Sequence, residues 1–176
     1  MKTEYEVRIL EINEKVLIQK LEELGATKIG EYNQKRYVYD LKPASPQKWI
    51  RLRTNGKTTT LTYKNIETNK IDGTKELEIE VSDFEATNTM LEILGYQNKG
   101  YQENKRIQYR LNGVEIDIDT WPLIPTYVEI EGEDEQSVLK MIKILGLNNE
   151  KVTTLDVQSV YMQYGIDIEK KKDLRF

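Results

Sequence analysis

Apolar residues spaced three and four positions apart predict three amphipathic helices, and each of them ends at a glycine. These helices and the glycines that follow them are residues 13–24 with Gly25, 83–94 with Gly95, and 134–145 with Gly146. A glycine directly after a helix favours the left-handed conformation that ends it. Ser82 and Glu85 form a candidate capping box at the second helix. A weaker pattern predicts a fourth helix over residues 154–164.

Between the helices, short segments alternate apolar and polar residues, which is typical of β-strands with one buried face. Eight segments show this alternation: residues 3–10, 34–40, 49–54, 58–65, 75–81, 104–111, 114–119 and 126–131. Asn112-Gly113 has the composition of a two-residue hairpin turn. Eight strands with three or four helices predict an α+β fold built on an antiparallel sheet.

The chain also repeats itself with an offset of 70 residues, which places Lys35-Arg36 on Lys105-Arg106. Each repeat has an acidic strand, a helix that ends in Leu-Gly, and a connection onward. This repetition predicts two related halves. No low-complexity linker divides the chain, so we expect one domain over residues 1–168. Residues 169–176 form a charged tail, which we expect to be loose.

Charged residues share strand faces in this sequence. Side chains alternate across a strand, so Glu4, Glu6 and Arg8 point the same way. The other same-face rows are Glu76, Glu78 and Glu80; Glu115, Asp117 and Asp119; Glu129 and Glu131; Arg51 and Arg53; and Arg106, Gln108 and Arg110. Two like charges about 4 Å apart repel by roughly 4 kcal/mol at an effective dielectric constant near 20. The acidic rows therefore require basic neighbours or bound cations.

Two interpretations of these rows remain open at this point. Antiparallel sheets often have one solvated face, where mixed charges need no function. If the sheet instead closes, the charged face becomes a lumen, and an eight-stranded closure leaves space for one small ligand. The shared orientation of the arginines favours the lumen, because guanidinium forks match phosphate oxygens.

Composition narrows the chemistry. The chain has 176 residues, and its net charge of −4 argues against general nucleic-acid binding. It has no 18-residue apolar run and no signal-peptide core, so we expect no membrane association. The absence of cysteine excludes disulfides and suggests the reducing cytoplasm. The absence of histidine excludes histidine-based catalysis and the usual zinc sites, which leaves oxygen ligands for Mg²⁺, Mn²⁺ or Ca²⁺.

The ordered set of charged motifs resembles the CYTH family, also called triphosphate tunnel metalloenzymes, from about residue 2 to Tyr164. The family opens with Glu-x-Glu-x-Lys, which Glu4 and Glu6 match, with Arg8 at the lysine position. The later motifs are matched by Gln34, Tyr37 and Asp40; by Arg51-Leu52-Arg53; by Leu61, Thr62 and Lys64; by Glu76, Glu78 and Glu80; by Lys105-Arg106; and by Glu129 to Gly132. The family includes inorganic triphosphatases, thiamine triphosphatases and class IV adenylate cyclases.

The resemblance implies a closed eight-stranded antiparallel β-barrel with a charged lumen and three to four helices outside. It implies Mg²⁺ or Mn²⁺ as cofactor and a small-molecule triphosphate as the ligand, with no nucleic acid and no membrane as partner. A homodimer stays open, because helices or a second copy could cover the apolar outer face.

The resemblance also implies roles for individual residues. The catalytic set is Glu4, Glu6, Arg8 and Glu131. The metal set is Glu4, Glu6 and Glu131 with Glu129 nearby, and Glu78, Glu80, Asp117 and Asp119 for a second ion or its water. The substrate-binding set is Arg8, Arg51, Arg53, Lys64 and Arg106, with Lys105 and Arg110 as weaker candidates. By strand parity, Lys105 faces away from Arg106.

We expect hydrolysis of inorganic tripolyphosphate, a nucleoside triphosphate or thiamine triphosphate. The alternative is conversion of ATP to cyclic AMP and pyrophosphate, because the same charged cage serves both reactions. A second alternative is a polyphosphate- or nucleotide-binding module with little turnover, which the exchange of lysine for arginine at Arg8 would allow. Tyrosines such as Tyr37, Tyr39, Tyr63 and Tyr127 could stack on a base, although aromatic residues in strands more often belong to the core.

Overall fold

Strands and helices alternate along the chain in the computed structural model, which describes residues 1–147 and 151–176. The strands are β1 (Lys2–Ile9), β2 (Thr27–Ser45), β3 (Lys48–Thr54), β4 (Thr59–Ile66), β5 (Thr74–Val81), β6 (Asn98–Leu111), β7 (Val114–Thr120), β8 (Tyr127–Gly132), β9 (Val152–Thr153) and β10 (Asp173–Leu174). The α-helices are α1 (Glu14–Glu23), α2 (Phe84–Ile93), α3 (Glu135–Leu145) and α4 (Val157–Gln163).

Strands β1 to β8 close into an antiparallel barrel. Their order is β6-β2-β3-β4-β5-β1-β8-β7, and β7 pairs back with β6. In this order β2 and β3 lie across the lumen from β1 and β8. The predicted closed eight-stranded α+β barrel is confirmed.

Helices cover the apolar outer face of the barrel. Helices α1 and α3 pack on β1, β7 and β8, where Val7, Ile116 and Ile130 have no exposed surface. Helix α2 packs on β2 and β3 through Phe84 and Leu91. Since side chains alternate across each strand, burial of these apolar residues outside turns the charged rows toward the lumen. Among the described helices, none is both long enough and apolar enough to cross a membrane.

The predicted helix-ending glycines and the predicted hairpin turn are confirmed. Gly25, Gly95 and Gly146 all adopt positive φ, at 73°, 87° and 66°. The hairpin between β6 and β7 has positive φ at both Asn112 (51°) and Gly113 (81°), as a type I′ turn requires.

The capping box predicted at Ser82 and Glu85 is wrong. Asp83 is the N-cap of α2, and its carboxylate accepts a hydrogen bond from the backbone N–H of Ala86 at 2.6 Å. Because the N-cap is Asp83 and not Ser82, Glu85 lies at the second helical position rather than at the third, where a capping box requires it.

Two strands are longer than their alternation predicted, and one helix is shorter. Strand β2 begins at Thr27 and β6 begins at Asn98, and the two pair with each other along this added length. The residues added to each strand are mostly polar, so the sequence shows no alternation of apolar and polar positions there. Helix α4 covers only Val157–Gln163 of the predicted 154–164.

The expected loose tail is attached to the barrel. Strand β10 pairs in parallel with β6, with Asp173 opposite Tyr101, and Leu174 is only 2% exposed. The guanidinium of Arg175 lies 4.0 Å from the centre of the Tyr101 ring. One buried leucine and one stacked arginine thus fix a segment whose composition predicted mobility.

Candidate active site

The lumen contains two chambers that meet at Arg51 and Lys64, which line both. Chamber A has a volume of about 360 Å³ and is lined mainly by charged side chains, among them Glu4, Glu131 and Arg53. Chamber B has a volume of about 330 Å³. The charged rows predicted from strand parity therefore enclose a cavity rather than cover an open surface.

Six carboxylates form what we call the acidic wall. Its members are Glu4 and Glu6 on β1, Asp117 and Asp119 on β7, and Glu129 and Glu131 on β8. Strand register places Glu6 opposite Glu131 and Asp117 opposite Glu129. Burial raises the pKa of Glu4, Glu6 and Glu131 above the ordinary glutamate value. The cations beside these three carboxylates therefore offset the cost of burying their charge only in part.

Arg8 lies within the acidic wall and is only 6% exposed. Its Nη2 atom is 2.5 Å from Glu129 Oε2 and 3.3 Å from Glu6 Oε1. Its Nη1 atom donates to the carbonyl oxygen of Leu155 at 2.8 Å. A lysine has one nitrogen and no fork, so it could not make the same contacts together. Arginine at this position therefore joins the acidic wall to the chain just before α4.

Arg106 is the second cation surrounded by the acidic wall. Its Nε and Nη2 atoms donate to the two oxygens of Asp119 at 2.8 and 2.6 Å, and its Nη1 atom donates to Asp117. Glu129 lies 3.4 Å away and is shared with Arg8. Burial alone would raise the pKa of Glu129, but Arg8 and Arg106 together hold it well below the ordinary value.

Three arginines on the opposite side form what we call the basic wall: Arg36 on β2, and Arg51 and Arg53 on β3. Arg51 and Arg53 share one carboxylate, Glu78, at 3.3 and 3.8 Å. Burial and the adjacent Arg51 lower the pKa of Arg53 to about 10. The basic wall therefore has an excess of positive charge inside the barrel.

Two lysines contact the acidic wall from its sides. Lys64 lies 2.7 Å from Glu4, and the mostly exposed Lys2 lies 2.7 Å from Glu131. In the described part of the chain, no three acidic side chains converge into a ready metal cluster. The donor set nevertheless fits a hard divalent cation, because Glu4, Glu6 and Glu131 offer carboxylate oxygens, which such cations prefer as ligands. Flexible lysines engage two of them.

The remaining predicted residues do not all reach the lumen. Glu78 lines chamber A, whereas Glu80 is exposed and lines neither chamber. Arg110 is at the exposed end of β6, where it pairs with Glu115 at 2.8 Å. Lys105 lies on the outer face with its Nζ atom 4.4 Å from the Phe176 ring. The structure thus brings the other predicted cations to the lumen but not Lys105 and Arg110.

Sequence reasoning missed Arg36 and its neighbours. Arg36 donates to Asn104 at 2.6 Å and to Gln34 at 3.2 Å, and it stacks over the Trp121 ring at 4.5 Å. The internal repeat carried the signal, because an offset of 70 places Arg36 on Arg106. Strand parity then puts Arg36 on the same face as Gln34.

Chamber B differs from chamber A in having apolar lining, from Val38, Trp49 and Ile66. The tyrosines considered for stacking do not supply it. Tyr37 stacks on Phe84 beneath α2 at 5.2 Å, and Tyr39 is fully buried in the same cluster. These two tyrosines belong to the core, and an aromatic contact in chamber B would come from Trp49.

The sequence profile of the CYTH domain matches residues 2–157 of this chain. The chain belongs to the CYTH family. Members of the CYTH family are in general metal-dependent enzymes that act on triphosphates, as triphosphatases or adenylate cyclases. No curated protein sequence matches the chain significantly.

Solved structures share the CYTH fold of this chain. A conserved hypothetical protein from Pyrococcus furiosus has a TM-score of 0.78 at 23% identity, and the match covers 88% of this chain and 98% of that one. A Pyrococcus horikoshii protein has a TM-score of 0.76 at 27% identity, covering 87% and 96%. A candidate adenylate cyclase from Vibrio parahaemolyticus has a TM-score of 0.77 at 14% identity, covering 92% and 98%.

Proposed function

We propose that this CYTH protein is a divalent-metal-dependent triphosphatase. The observation that carries the proposal is the arrangement of the two walls. Buried carboxylates short of positive charge face buried arginines short of negative charge across one lumen. A metal ion with a bound polyphosphate supplies both missing charges at once.

The basic wall would hold the phosphate chain. Arg51 and Arg53 present guanidinium forks to the lumen, and Lys64 lies where the two chambers meet. Guanidinium groups bind phosphate oxygens through paired charge-assisted hydrogen bonds. Phosphoryl transfer needs placement and positive charge more than covalent help from the protein. These side chains therefore account for most of what the reaction demands.

Glu4, Glu6 and Glu131 would hold Mg²⁺ or Mn²⁺, with Glu129 beside them. Such an ion neutralises phosphate charge and lowers the pKa of a bound water. Lys2 and Lys64 would release Glu131 and Glu4 and could then contact the phosphates. Because Arg8 and Arg106 are each bound by carboxylates, their role in this proposal is to orient the acidic wall.

Hydrolysis is the preferred outcome for the bound triphosphate. A CYTH-fold protein from Hippeastrum, 14% identical with a TM-score of 0.61 over 94% of this chain and 96% of that one, is described as having a dominant triphosphatase activity. Cyclisation of ATP is the second candidate. The apolar lining of chamber B favours it, because Trp49 could receive an organic group attached to the phosphates.

The test supplies the purified protein with tripolyphosphate, ATP or thiamine triphosphate, together with Mg²⁺ or Mn²⁺. Phosphate release is the expected result, whereas cyclic AMP would support the cyclase. Tight binding with neither product would support a binding module and contradict the proposal. Glu6→Gln should reduce turnover at least about 100-fold, since it removes a charged ligand of the metal. Glu31→Gln, which changes an exposed glutamate outside the lumen, is the matched control.

A further inference from the structure

Arg36 is a buried cation on which the described residues place no carboxylate. It is 6% exposed, and its hydrogen-bond acceptors are the neutral amides of Gln34 and Asn104. Within residues 1–147 and 151–176, no Asp or Glu oxygen lies at salt-bridge distance from its guanidinium, and its Nε atom has no hydrogen-bond partner. Burying an unpaired charge is costly, so this guanidinium requires an anion that the described part of the chain does not supply.

Arg106, the residue that the 70-residue repeat places on Arg36, is an arginine whose charge is neutralised by carboxylates. Arg106 occupies the equivalent position in the second half of the chain and is bound by Asp117, Asp119 and Glu129. Arg36 reaches Asp119 only through Asn104, whose Nδ2 donates to Asp119 Oδ1 at 3.1 Å. Two arginines related by the repeat are therefore in opposite states of charge balance.

The register of β2 and β3 shows which residues are the neighbours of Arg36 on the lumen face. The lumen-facing pairs along this ladder run in the order Arg36 with Arg53, then Val38 with Arg51, then Asp40 with Trp49. Arg53 lines chamber A, whereas Arg36 lines chamber B. Arg36 thus lines chamber B, its strand partner Arg53 lines chamber A, and Arg51 lines both.

We infer that Arg36 is a phosphate-binding residue, whose guanidinium binds a phosphate group of the substrate directly in chamber B, next to the junction at Arg51. It rests on the proposed function in taking a linked phosphate chain as the occupant of the lumen. Burial and the adjacent Arg51 and Arg53 lower the pKa of Arg36, as expected for a guanidinium that lacks an anion. Binding through this residue needs no metal, because the missing charge belongs to the basic wall.

The decisive experiment measures tripolyphosphate binding by titration calorimetry in EDTA, for wild type, Arg36→Met and Arg36→Lys. Methionine keeps apolar contact with Trp121 but removes the charge, and lysine keeps the charge but removes the fork. We expect Arg36→Met to weaken binding about 10- to 100-fold and Arg36→Lys to weaken it by less. Arg175→Met is the matched control, since Arg175 also stacks on an aromatic ring but lies outside the lumen.

Thermal unfolding of the ligand-free proteins separates a binding role from a structural one. We expect Arg36→Met to unfold at or above the wild-type temperature, because it removes an uncompensated buried charge. A variant that unfolds several degrees lower and binds tripolyphosphate like wild type would overturn the inference. So would a wild-type protein that fails to bind millimolar tripolyphosphate without metal.

Activity assays keep this inference distinct from the proposed function. If Arg36→Met weakens binding but no metal supports phosphate release by wild type, the triphosphatase proposal fails and the phosphate-binding role stands. If wild type releases phosphate and Arg36→Met keeps both its KM and its affinity, the inference fails and the triphosphatase proposal stands.

Discussion

The two walls of the lumen both carry buried charge but balance it in different ways. The acidic wall surrounds its own cations, so that Arg8 and Arg106 are each held by two or three carboxylates. Among the described residues, the basic wall has only Glu78 as a close carboxylate, and two of its arginines share it. The acidic wall is thus partly compensated by its own arginines, and the basic wall is prepared for a negatively charged ligand.

Strand order explains this difference. Strands β1, β8 and β7 are consecutive in the barrel, and β6 follows β7, so carboxylates from three strands meet arginines from β1 and β6. Strands β2 and β3 are neighbours as well, but their lumen-facing positions at the junction hold arginine on both strands. Adjacent arginines cannot neutralise each other, and the imbalance persists until an anion arrives.

The largest expected effect comes from breaking the compensation of the acidic wall. Glu129→Gln removes the carboxylate that Arg8 and Arg106 share, and it leaves two buried cations with less counter-charge. We expect a loss of about 3 to 5 kcal/mol in the free energy of unfolding, measured by urea denaturation. Glu115→Gln, which breaks a partly exposed pair with Arg110, should cost less than about 1 kcal/mol. Equal losses in the two variants would contradict the comparison.

A pH series on the acidic wall should give the next largest effect. Burial raises the pKa of Asp117 from 3.8 to about 7, despite the attraction of Arg106. The folded state then holds this proton to higher pH than the unfolded chain, so stability from Asp117 is present below about pH 4 and lost as pH rises to about 7. Asp117→Asn cannot titrate and should gain on wild type by up to about 4 kcal/mol across this range.

The measurement is thermal or urea unfolding of both proteins in EDTA, from pH 4 to pH 8. Taking the difference between wild type and Asp117→Asn removes the contributions of the other carboxylates with raised pKa values, which titrate in both proteins. Parallel stability curves would show that Asp117 does not carry this pH dependence.

Arg8→Lys tests the acidic wall more finely than loss of a charge does. It keeps the positive charge but removes the two terminal guanidinium nitrogens that bind separate partners. The hydrogen bond from Arg8 to the carbonyl of Leu155 should be lost, at a cost of about 1.5 to 3 kcal/mol for a charged donor. Hydrogen exchange should then rise in α4 rather than in α2. If exchange in α4 is unchanged, the arginine does not tether this segment, and its place in the acidic wall needs another reason.

Much of this architecture could be predicted from the sequence. The helical spacing of three and four residues and the alternation along strands are both clear where one face of the element is apolar. Strand β7 alternates Val114, Ile116 and Ile118 with acids, which is enough to assign its two faces. The early part of β2 has no such alternation, and its pairing with β6 depends on a partner far away in the chain. Local pattern cannot report a tertiary pairing of that kind.

For the candidate site, too, the local pattern predicted some features, and others depended on tertiary pairing. Parity predicted which charges share a face, and the lumen contains most of them. Parity could not say which charges are compensated, because this depends on which strands become neighbours. Arg36 and Arg106 look alike in the repeat, and only the barrel order separates them. The repeat should therefore have drawn attention to Arg36, although not to its missing carboxylate.

The smallest effect should come from Lys105, which is adjacent to Arg106 in sequence but lies on the other side of the barrel wall. Its ammonium group rests 4.4 Å from the Phe176 ring, an exposed cation–π contact worth about 0.5 to 1 kcal/mol. Lys105→Gln should lower stability by no more than this and leave the KM for tripolyphosphate unchanged. Arg53→Gln, inside the lumen, should raise that KM at least tenfold. If Lys105→Gln raised the KM as much as Arg53→Gln, the substrate would have to reach the outer face of β6, and strand alternation would no longer separate the binding wall from the barrel exterior.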